Sequence, residues 1–146
     1  MINDVRILKA LADENRLRLL LLLQAGELFV CQLMAVTGLS QSLVSRSMAL
    51  LEREGLVESR RQGKHVFYRL SATLPPIGRA IMETLDATRP GMGTFASDRR
   101  NLDQFCRRFQ KGRTCDMGMI RDFIAFRKQK INKEHEHGKT GQAGVH

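Results

Sequence analysis

Three cysteines are the side chains of this 146-residue chain best suited to bind a soft ion or to respond to an oxidant. Cys31 lies in the run ELFVCQL, whereas Cys106 and Cys115 both lie in FCRRFQKGRTCDMG. Thiolates are the ligands that soft metal ions prefer, and they also form disulfides and persulfides. Arginines lie between Cys106 and Cys115, and nearby positive charges are expected to lower the pKa of a thiol and favour the thiolate.

The spacing of Cys106 and Cys115 limits how these two thiols can meet. Nine residues along a continuous helix are about two and a half turns, which places the thiols on opposite faces. They converge only if the chain turns between them, and Lys111-Gly112 is a suitable break. Cys31, from the same or a second subunit, can then supply a third ligand. In a plainer interpretation, Cys31 is a small buried hydrophobe and the other two cysteines are incidental.

Composition narrows the class of protein. The chain is 42% hydrophobic and 27% charged and has no tryptophan, which is ordinary for a soluble, helix-rich protein. Its longest apolar run, residues 19–23, is too short to cross a bilayer, and the amino terminus lacks a signal-peptide pattern. We therefore expect a cytoplasmic protein without a membrane partner. In that compartment an odd number of cysteines argues against a disulfide scaffold and leaves free thiols, metal ligation or redox sensing.

The formal net charge of +9 indicates a polyanionic partner, but this charge is unevenly distributed. Residues 1–98 contain 12 Lys and Arg against 10 Asp and Glu, a net charge of +2. Residues 99–146 contain 12 against 5, a net charge of +7. Any binding of nucleic acid by the first hundred residues must therefore depend on where its side chains lie, because bulk charge is nearly absent there.

Hydrophobic periodicity and capping residues predict the helices that position these side chains. Apolar residues at steps of three and four predict an amphipathic first helix, namely Ile2, Val5, Leu8 and Ala12. Asp13 is a suitable N-cap for a second helix, which Gly26 ends. Because that second helix is apolar nearly all round, we expect it to be the buried centre of the domain.

A helix, a short break, a second helix and a hairpin are predicted next. The third helix occupies about residues 30–36, and Ser40 is a suitable N-cap for a fourth helix at about residues 41–53. Two β-forming runs, at residues 56–60 and 65–70, are joined by RQGK, which indicates the tip of a hairpin. This order, mainly α with a small β-hairpin, is that of a winged helix-turn-helix.

The rest of the chain is predicted to add one apolar helix and a basic extension. Residues 71–89 form a helix in which Gly78 allows a neighbour to approach closely. Its apolar stripe consists of Leu74, Ile77, Ile81 and Leu85. RPGMGTFAS is a linker by composition. We expect a DNA-binding and dimerisation domain at residues 1–90, a basic, partly helical extension at 91–131 that carries Cys106 and Cys115, and a disordered tail at 132–146.

The predicted fourth helix has one face for the core and one for a groove of DNA. Val44, Met48 and Leu51 recur at steps of four and three and form the burying face. The N-terminal end carries polar side chains that can bind base edges and phosphates, namely Ser40, Gln41, Ser42, Ser45 and Arg46. The hairpin tip adds side chains suited to the DNA backbone or minor groove, namely Arg60, Arg61, Lys64 and His65. A solvated polar face is the plainer interpretation, but this one is short and hydroxyl-rich, and a basic hairpin follows it.

The segments ALADENRLRLL, GLSQSLVSR and GLVESRRQGKHVFYRL resemble the ArsR/SmtB family of winged-helix transcriptional repressors, over about residues 3–88. The resemblance implies a homodimer that binds double-stranded operator DNA and releases it when a metal, a metalloid or another thiol-reactive effector binds. It also implies dimerisation through the first helix and the helix at 73–88, in agreement with the apolar stripe found there. One departure is Ser47, where the family often carries histidine, and it bears on sequence preference.

Metalloid-sensing members of this family often carry ELCVCDL where this chain has ELFVCQL. Phe29 thus occupies the first cysteine position, and Cys31 alone is retained. Because trivalent arsenic and antimony require two or three sulfurs, Cys106 and Cys115 are the candidates to complete the set. The zinc-type site of Asp and His known in relatives has no counterpart, since IGRAIMETLDAT contains no histidine.

The sequence therefore predicts a dimeric, cytoplasmic repressor that needs no cofactor and releases operator DNA when As(III) or Sb(III) binds. One alternative is a repressor of the same fold that responds to a thiol redox or persulfide signal through Cys106 and Cys115. A thiol-dependent enzyme is a second alternative, which the lack of a CxxC motif, a convergent acid–base set and a phosphate loop disfavours. A small protein that merely sequesters metal is a third.

Overall fold

A helix-turn-helix with a three-stranded sheet forms the first part of the computed structural model, which describes residues 2–88, 93–110 and 117–140. Within those residues the helices are α1 (Ile2–Leu11), α2 (Glu14–Leu22), α3 (Val30–Thr37), α4 (Gln41–Arg53), α5 (Pro76–Thr88), α6 (Gly93–Gln104) and α7 (Met117–Thr140). The strands are β1 (Leu28–Phe29), β2 (Val57–Gln62) and β3 (His65–Leu70). A 3-10 turn at Leu23–Ala25 follows α2, and a π-helical turn at Phe105–Gln110 follows α6.

Capping residues begin and end the helices at the positions that the sequence predicts. The Asp13 carboxylate accepts a hydrogen bond of 2.9 Å from the Arg16 backbone N–H and caps α2. The Ser40 hydroxyl accepts one of 3.2 Å from the Leu43 N–H and caps α4. Gly38 ends α3 with φ 76°, a left-handed conformation that glycine adopts without a steric penalty. The break between α3 and α4 is thereby confirmed.

The hydrophobic core is centred on α2, as predicted. Leu19 and Leu20 are fully buried, and the core around them also includes residues of the C-terminal helices, namely Leu102, Phe105, Ile120 and Phe123. Residues on both sides of the predicted boundary near residue 90 therefore share one hydrophobic core, because α6 and α7 pack against α2 and α3.

The C-terminal segment contains more helix than composition indicates. α6 begins at Gly93, inside the segment predicted as a linker, and α7 continues to Thr140, past residue 131 where a disordered tail is predicted. The predicted break at Lys111-Gly112 and the tail after Thr140 lie outside the described residues. The parts of α6 and α7 that contact α3 gain stability from packing, which composition does not register.

The first helix is amphipathic as predicted, and it buries a stripe that the sequence analysis does not name. Ile7, Ala10 and Leu11 point into the core, whereas Val5 and Leu8 are 46% and 43% exposed. The helix has two apolar stripes, and the sequence analysis identified the outer one. Tertiary contact with α2 and α5 selects the inner stripe for burial.

The hairpin of β2 and β3 forms the wing of the winged helix-turn-helix. The strands pair antiparallel from Val57↔Leu70 to Gln62↔His65, and Gly63 in the connecting turn has φ 60°. The short strand β1, which periodicity does not detect, pairs Phe29 with Phe67 on the other edge of β3. The predicted fold class, mainly α with a small hairpin, is confirmed.

Close packing anchors α5 to the base of the wing. A Cβ atom added to Gly78 would lie 2.8 Å from Cδ2 of Leu56, a side chain with no exposed surface. The predicted close approach at Gly78 is therefore confirmed, since any larger residue would force Leu56 to move. Across the described ranges, no helix is long and apolar enough to cross a membrane.

Candidate nucleic-acid interface and cysteine site

The two faces of α4 separate as its periodicity predicts. Val44, Met48 and Leu51 have no exposed surface. On the other side the exposed polar residues are Ser40, Gln41, Ser42 and Arg46, with Ser45 half-buried beside them. This group surrounds the helix N-terminus, where unpaired backbone N–H groups and hydroxyls can hold a phosphate while glutamine and arginine reach base edges.

Ser47, the departure from the family pattern, faces inward. Only 7% of the residue is exposed, and it lies next to the fully buried Met48. A side chain at this position therefore affects how α4 packs rather than which base it contacts. The sequence analysis connected this departure with sequence preference, and its burial changes that interpretation.

Two of the four predicted wing residues project from the hairpin as expected. Arg61 and Lys64 are both exposed, one in β2 and the other in the turn. Among the described residues, no acidic side chain lies within ion-pair distance of either. Both positive charges therefore remain available for phosphates.

The other two, Arg60 and His65, pack across the sheet. The Arg60 guanidinium donates hydrogen bonds to both carboxylate oxygens of Glu27, with Nε 2.9 Å from Oε2, and lies 4.4 Å from the centre of the Phe67 ring. These hydrogen bonds hold the pKa of Glu27 below its ordinary value. The half-buried His65 ring lies 5.4 Å from the ring of Phe29. Contact of Arg60 with DNA would require it to leave Glu27.

Phe29, which stands where metalloid-sensing relatives have a cysteine, connects the wing to α3. Its ring lies 5.3 Å from Phe67 of β3, and its backbone N–H donates to the Gln32 side-chain oxygen at 3.1 Å. An aromatic ring therefore fills space between the hairpin and the first turn of α3 that a thiol would leave empty. Phe29 therefore supplies a packing contact at a position where it cannot supply a sulfur ligand.

The cysteines partly converge on the first turn of α3. Cys31 is half-buried near the start of this helix, and the free thiol of Cys106 lies 3.9 Å from the side-chain nitrogen of Gln32, the next residue. Cys115 lies outside the described residues. Cys31 is disulfide-bonded, which is compatible with the redox sensing that the cysteine count leaves open beside free thiols and metal ligation. Cys106 is a free thiol, and its reversible pairing with Cys115 in the redox alternative stays a prediction.

The Cys106 thiol is less acidic than its arginine neighbours suggest. Burial of the sulfur raises the pKa of Cys106, Asp103 raises it further, and the Gln32 hydrogen bond opposes them. One of the neighbouring guanidinium groups, that of Arg108, lies 4.7 Å from the centre of the Phe126 ring. The direction of the pKa shift for Cys106 is thus opposite to the lowering expected from the arginines, because desolvation and the Asp103 carboxylate both disfavour the thiolate.

A buried ionic network, which the sequence analysis missed, holds the C-terminal helices to the other end of α3. Arg18 of α2 donates to both Asp98 oxygens of α6, at 2.8 and 2.9 Å, and to the Thr37 carbonyl at 3.1 Å. Arg127 of α7 donates to the Val36 carbonyl at 3.1 Å, and burial lowers its pKa. The signal in the sequence was Arg18 itself, a charge next to the apolar run at residues 19–23 that must be paired if buried.

The described residues do not form a complete metal site. Within 2–88, 93–110 and 117–140, no three His, Cys, Asp or Glu side chains are arranged to hold a metal ion. The zinc-type site of relatives, which the sequence analysis does not predict for this chain, would need a histidine that α5 does not contain. Near the start of α3, Cys106 is a free thiol that could bind a soft ion, whereas Cys31 could do so only after its disulfide is reduced.

Comparison with known proteins assigns the family. A model of the bacterial regulatory proteins of the arsR family matches residues 13–59. The arsenic resistance transcriptional regulator ArsR2 of Pseudomonas putida is 38% identical over 105 residues, covering 70% of this chain and 91% of that protein. The arsenical resistance operon repressor of Escherichia coli is 45% identical over 80 residues, covering 54% of this chain and 68% of that protein.

Solved structures agree with the sequence comparison. Reduced HlyU from Vibrio cholerae superposes with a TM-score of 0.55 and 38% identity, and the match covers 61% of this chain and 90% of that one. The helix-turn-helix lies within the residues that the family model matches, 13–59. The chain is a member of the ArsR family of transcriptional regulators, which bind DNA and are not enzymes.

Proposed function

We propose that this chain is a dimeric cytoplasmic repressor that releases its operator DNA when As(III) or Sb(III) binds to its cysteines. The observation that carries the proposal is the position of Cys106, whose sulfur lies beside the residue that follows Cys31. Two cysteines more than seventy positions apart in the sequence thus come to the same turn of α3. The P. putida and E. coli relatives, whose names refer to arsenic or arsenical resistance, support the choice of ion.

Operator binding uses the exposed end of α4 and the wing. Gln41 and Arg46 read base edges in the major groove, and Ser40, Ser42 and Ser45 hold phosphates at the helix N-terminus. Arg61 and Lys64 contact the backbone beside the groove. Because α3 leads through a three-residue turn into α4, a shift of α3 changes the position of the helix that reads DNA.

The dimer forms through α1 and α5. The exposed outer stripe of α1, with Val5 and Leu8, lies on a helix that contacts α5. The apolar stripe of Leu74, Ile77, Ile81 and Leu85 is half-buried in the single chain, so part of its surface remains to be covered. A second copy would cover both stripes and place two α4 helices on successive major grooves.

Effector binding acts as a choice between two conformations. In the DNA-binding conformation the first turn of α3 is held by Gln32 to Phe29 and to Cys106. A metalloid that bonds to sulfurs on α3 and on the C-terminal segment holds these elements in a second arrangement. The effector then weakens DNA binding by the ratio of its affinities for the two conformations.

Release of DNA from the reduced protein tests this proposal directly. Fluorescence anisotropy would follow a labelled duplex from the protein's own upstream region, with and without arsenite, for the wild type and for Cys31→Ser, Cys106→Ser and Cys115→Ser. We expect arsenite to release the wild type, a dithiol chelator to restore binding, and each serine variant to stay bound. If all three variants still release DNA, the cysteine site is wrong. If no specific duplex binds at physiological salt, the repressor proposal is wrong.

The disulfide at Cys31 favours a second candidate, a repressor that responds to thiol oxidation. One solved structure similar to this chain is that of reduced HlyU from Vibrio cholerae. The same anisotropy assay separates the candidates when peroxide replaces arsenite. Release by peroxide that dithiothreitol reverses, without any response to arsenite, would favour the redox regulator.

A further inference from the structure

The last helix, α7, runs beside α3 in the same direction. Near its start, the Phe123 ring lies 5.2 Å from Phe105, the residue before Cys106, and Cys106 contacts the first turn of α3 through Gln32. Further along, Arg127 donates to the carbonyl of Val36 in the last turn of α3. Between these two contacts α7 advances from one end of α3 to the other.

Beyond Arg127, α7 continues past the end of α3. It extends to Thr140, and at 1.5 Å per residue that continuation is about 20 Å long. The end of α3 that it passes is joined by a three-residue turn to Gln41, the first residue of α4. The part of α7 beyond Arg127 therefore begins beside the end of α4 that faces DNA.

Positive charge is concentrated where α7 leaves the core. Residues 127–134 read RKQKINKE, and Lys128 and Lys130 within this run are both exposed. Lys130 follows Arg127 by three residues, so it lies on the side of the helix that faces the end of α3. Glu134 is the single acidic residue of the eight, so this run carries a net positive charge.

We propose that α7 beyond Arg127 is an accessory DNA-contact surface, on which Lys128 and Lys130 bind phosphates that flank the sequence read by α4. The proposal rests on the docking of α4 in the major groove described above. DNA is the partner because its phosphates lie on the side to which this part of the helix extends, and because lysine binds phosphate as a point charge without regard to sequence. These contacts would lengthen the footprint without changing its specificity.

The salt dependence of binding tests the surface. We expect Lys130→Gln to reduce the slope of log Kobs against log salt by about 0.9, and Lys128→Gln/Lys130→Gln by about 1.8. Binding should weaken equally on operator and unrelated duplexes. On a duplex trimmed to the sequence under α4, the variants and the wild type should bind alike. Circular dichroism and thermal unfolding would establish that the variants fold normally.

Arg121→Gln is the matched control. Arg121 is exposed on the same helix and carries the same charge, and it lies near the start of α3. It is on the side of α7 opposite to Lys130, and on the side of Lys128 but about two turns earlier. We expect its slope to equal that of the wild type. An equal reduction of the slope for Arg121→Gln would mean that DNA binding depends only on the total charge of the protein. Unchanged slopes for the lysine variants would contradict the proposed DNA-contact surface.

Two further outcomes separate this proposal from its alternatives. If the lysine variants lose binding to vesicles containing phosphatidylserine but keep wild-type DNA affinity, the partner is an anionic membrane and the proposal is wrong. If the wild type shows no preference for operator over unrelated DNA, the proposed repressor function fails. The slope on unrelated DNA still decides in that case whether α7 contacts phosphates.

Discussion

Replacing Asp98 by asparagine should strongly destabilise the fold, because it removes the negative charge that faces two guanidinium groups at the end of α3. The Asp98 side chain is 3% exposed and that of its partner Arg18 is 15% exposed, so water cannot take the place of the carboxylate. Arg127 lies close enough that Asp98 and Arg18 both influence its pKa. The asparagine variant would leave two like charges together in a desolvated space.

The cost follows from the geometry of this network. Removing one partner of a buried, hydrogen-bonded ion pair costs about 3–5 kcal/mol, which is a large share of the roughly 5–15 kcal/mol that stabilise an ordinary domain. The thermal midpoint of a chain of this size should fall by roughly 10 °C or more. Urea titration followed by far-UV circular dichroism would measure the change in free energy of unfolding.

A matched variant and a rescue make this prediction decisive. Glu58→Gln removes a carboxylate of the same kind from the exposed Glu58–Arg69 pair, and it should leave the urea midpoint unchanged because exposed pairs contribute little. Arg18→Met/Asp98→Leu should recover much of the lost stability, since apolar side chains can replace a buried pair. A loss below about 1 kcal/mol for Asp98→Asn would show that burial of the pair does not set its cost.

Two further predictions concern DNA affinity and assembly. Glu27→Gln should release Arg60 toward DNA, tighten DNA binding several-fold at low salt and steepen the slope of log Kobs against log salt by about 0.9. Glu58→Gln removes the same charge from the wing without freeing Arg60, so it should not steepen that slope. Equal slopes for the two variants in an anisotropy titration would contradict this prediction. Leu8→Glu should convert the proposed dimer to a monomer in sedimentation velocity. Ile131→Glu changes a similarly exposed apolar position and should leave the dimer intact. A dimer that persists in the Leu8→Glu variant would exclude the α1 interface.

Features that depend on neighbouring residues were predictable from the sequence. Asp13 and Ser40 cap their helices through hydrogen bonds to residues three positions away, and the inward face of α4 follows from a period of 3.6 residues. The glycine in RQGK indicates the turn of the hairpin, and Gly78 within a helix indicates that a neighbour approaches closely there. Family motifs then identified the winged helix-turn-helix. Such features are determined locally, and local chemistry is what a sequence displays.

Contacts between distant residues were decided by the tertiary structure. The sequence indicates that Arg60 binds DNA, whereas in the fold Arg60 binds Glu27. Nothing in the sequence distinguishes Asp98 from other acidic residues, whereas in the fold it is buried against Arg18, 80 residues away. Cys106 looked acidic beside its arginines, but burial raised the pKa of its thiol. Sequence by itself determined the elements and the family. The partners of each charge and thiol depended on which surfaces became buried together, because desolvation and proximity set the energies of charged groups.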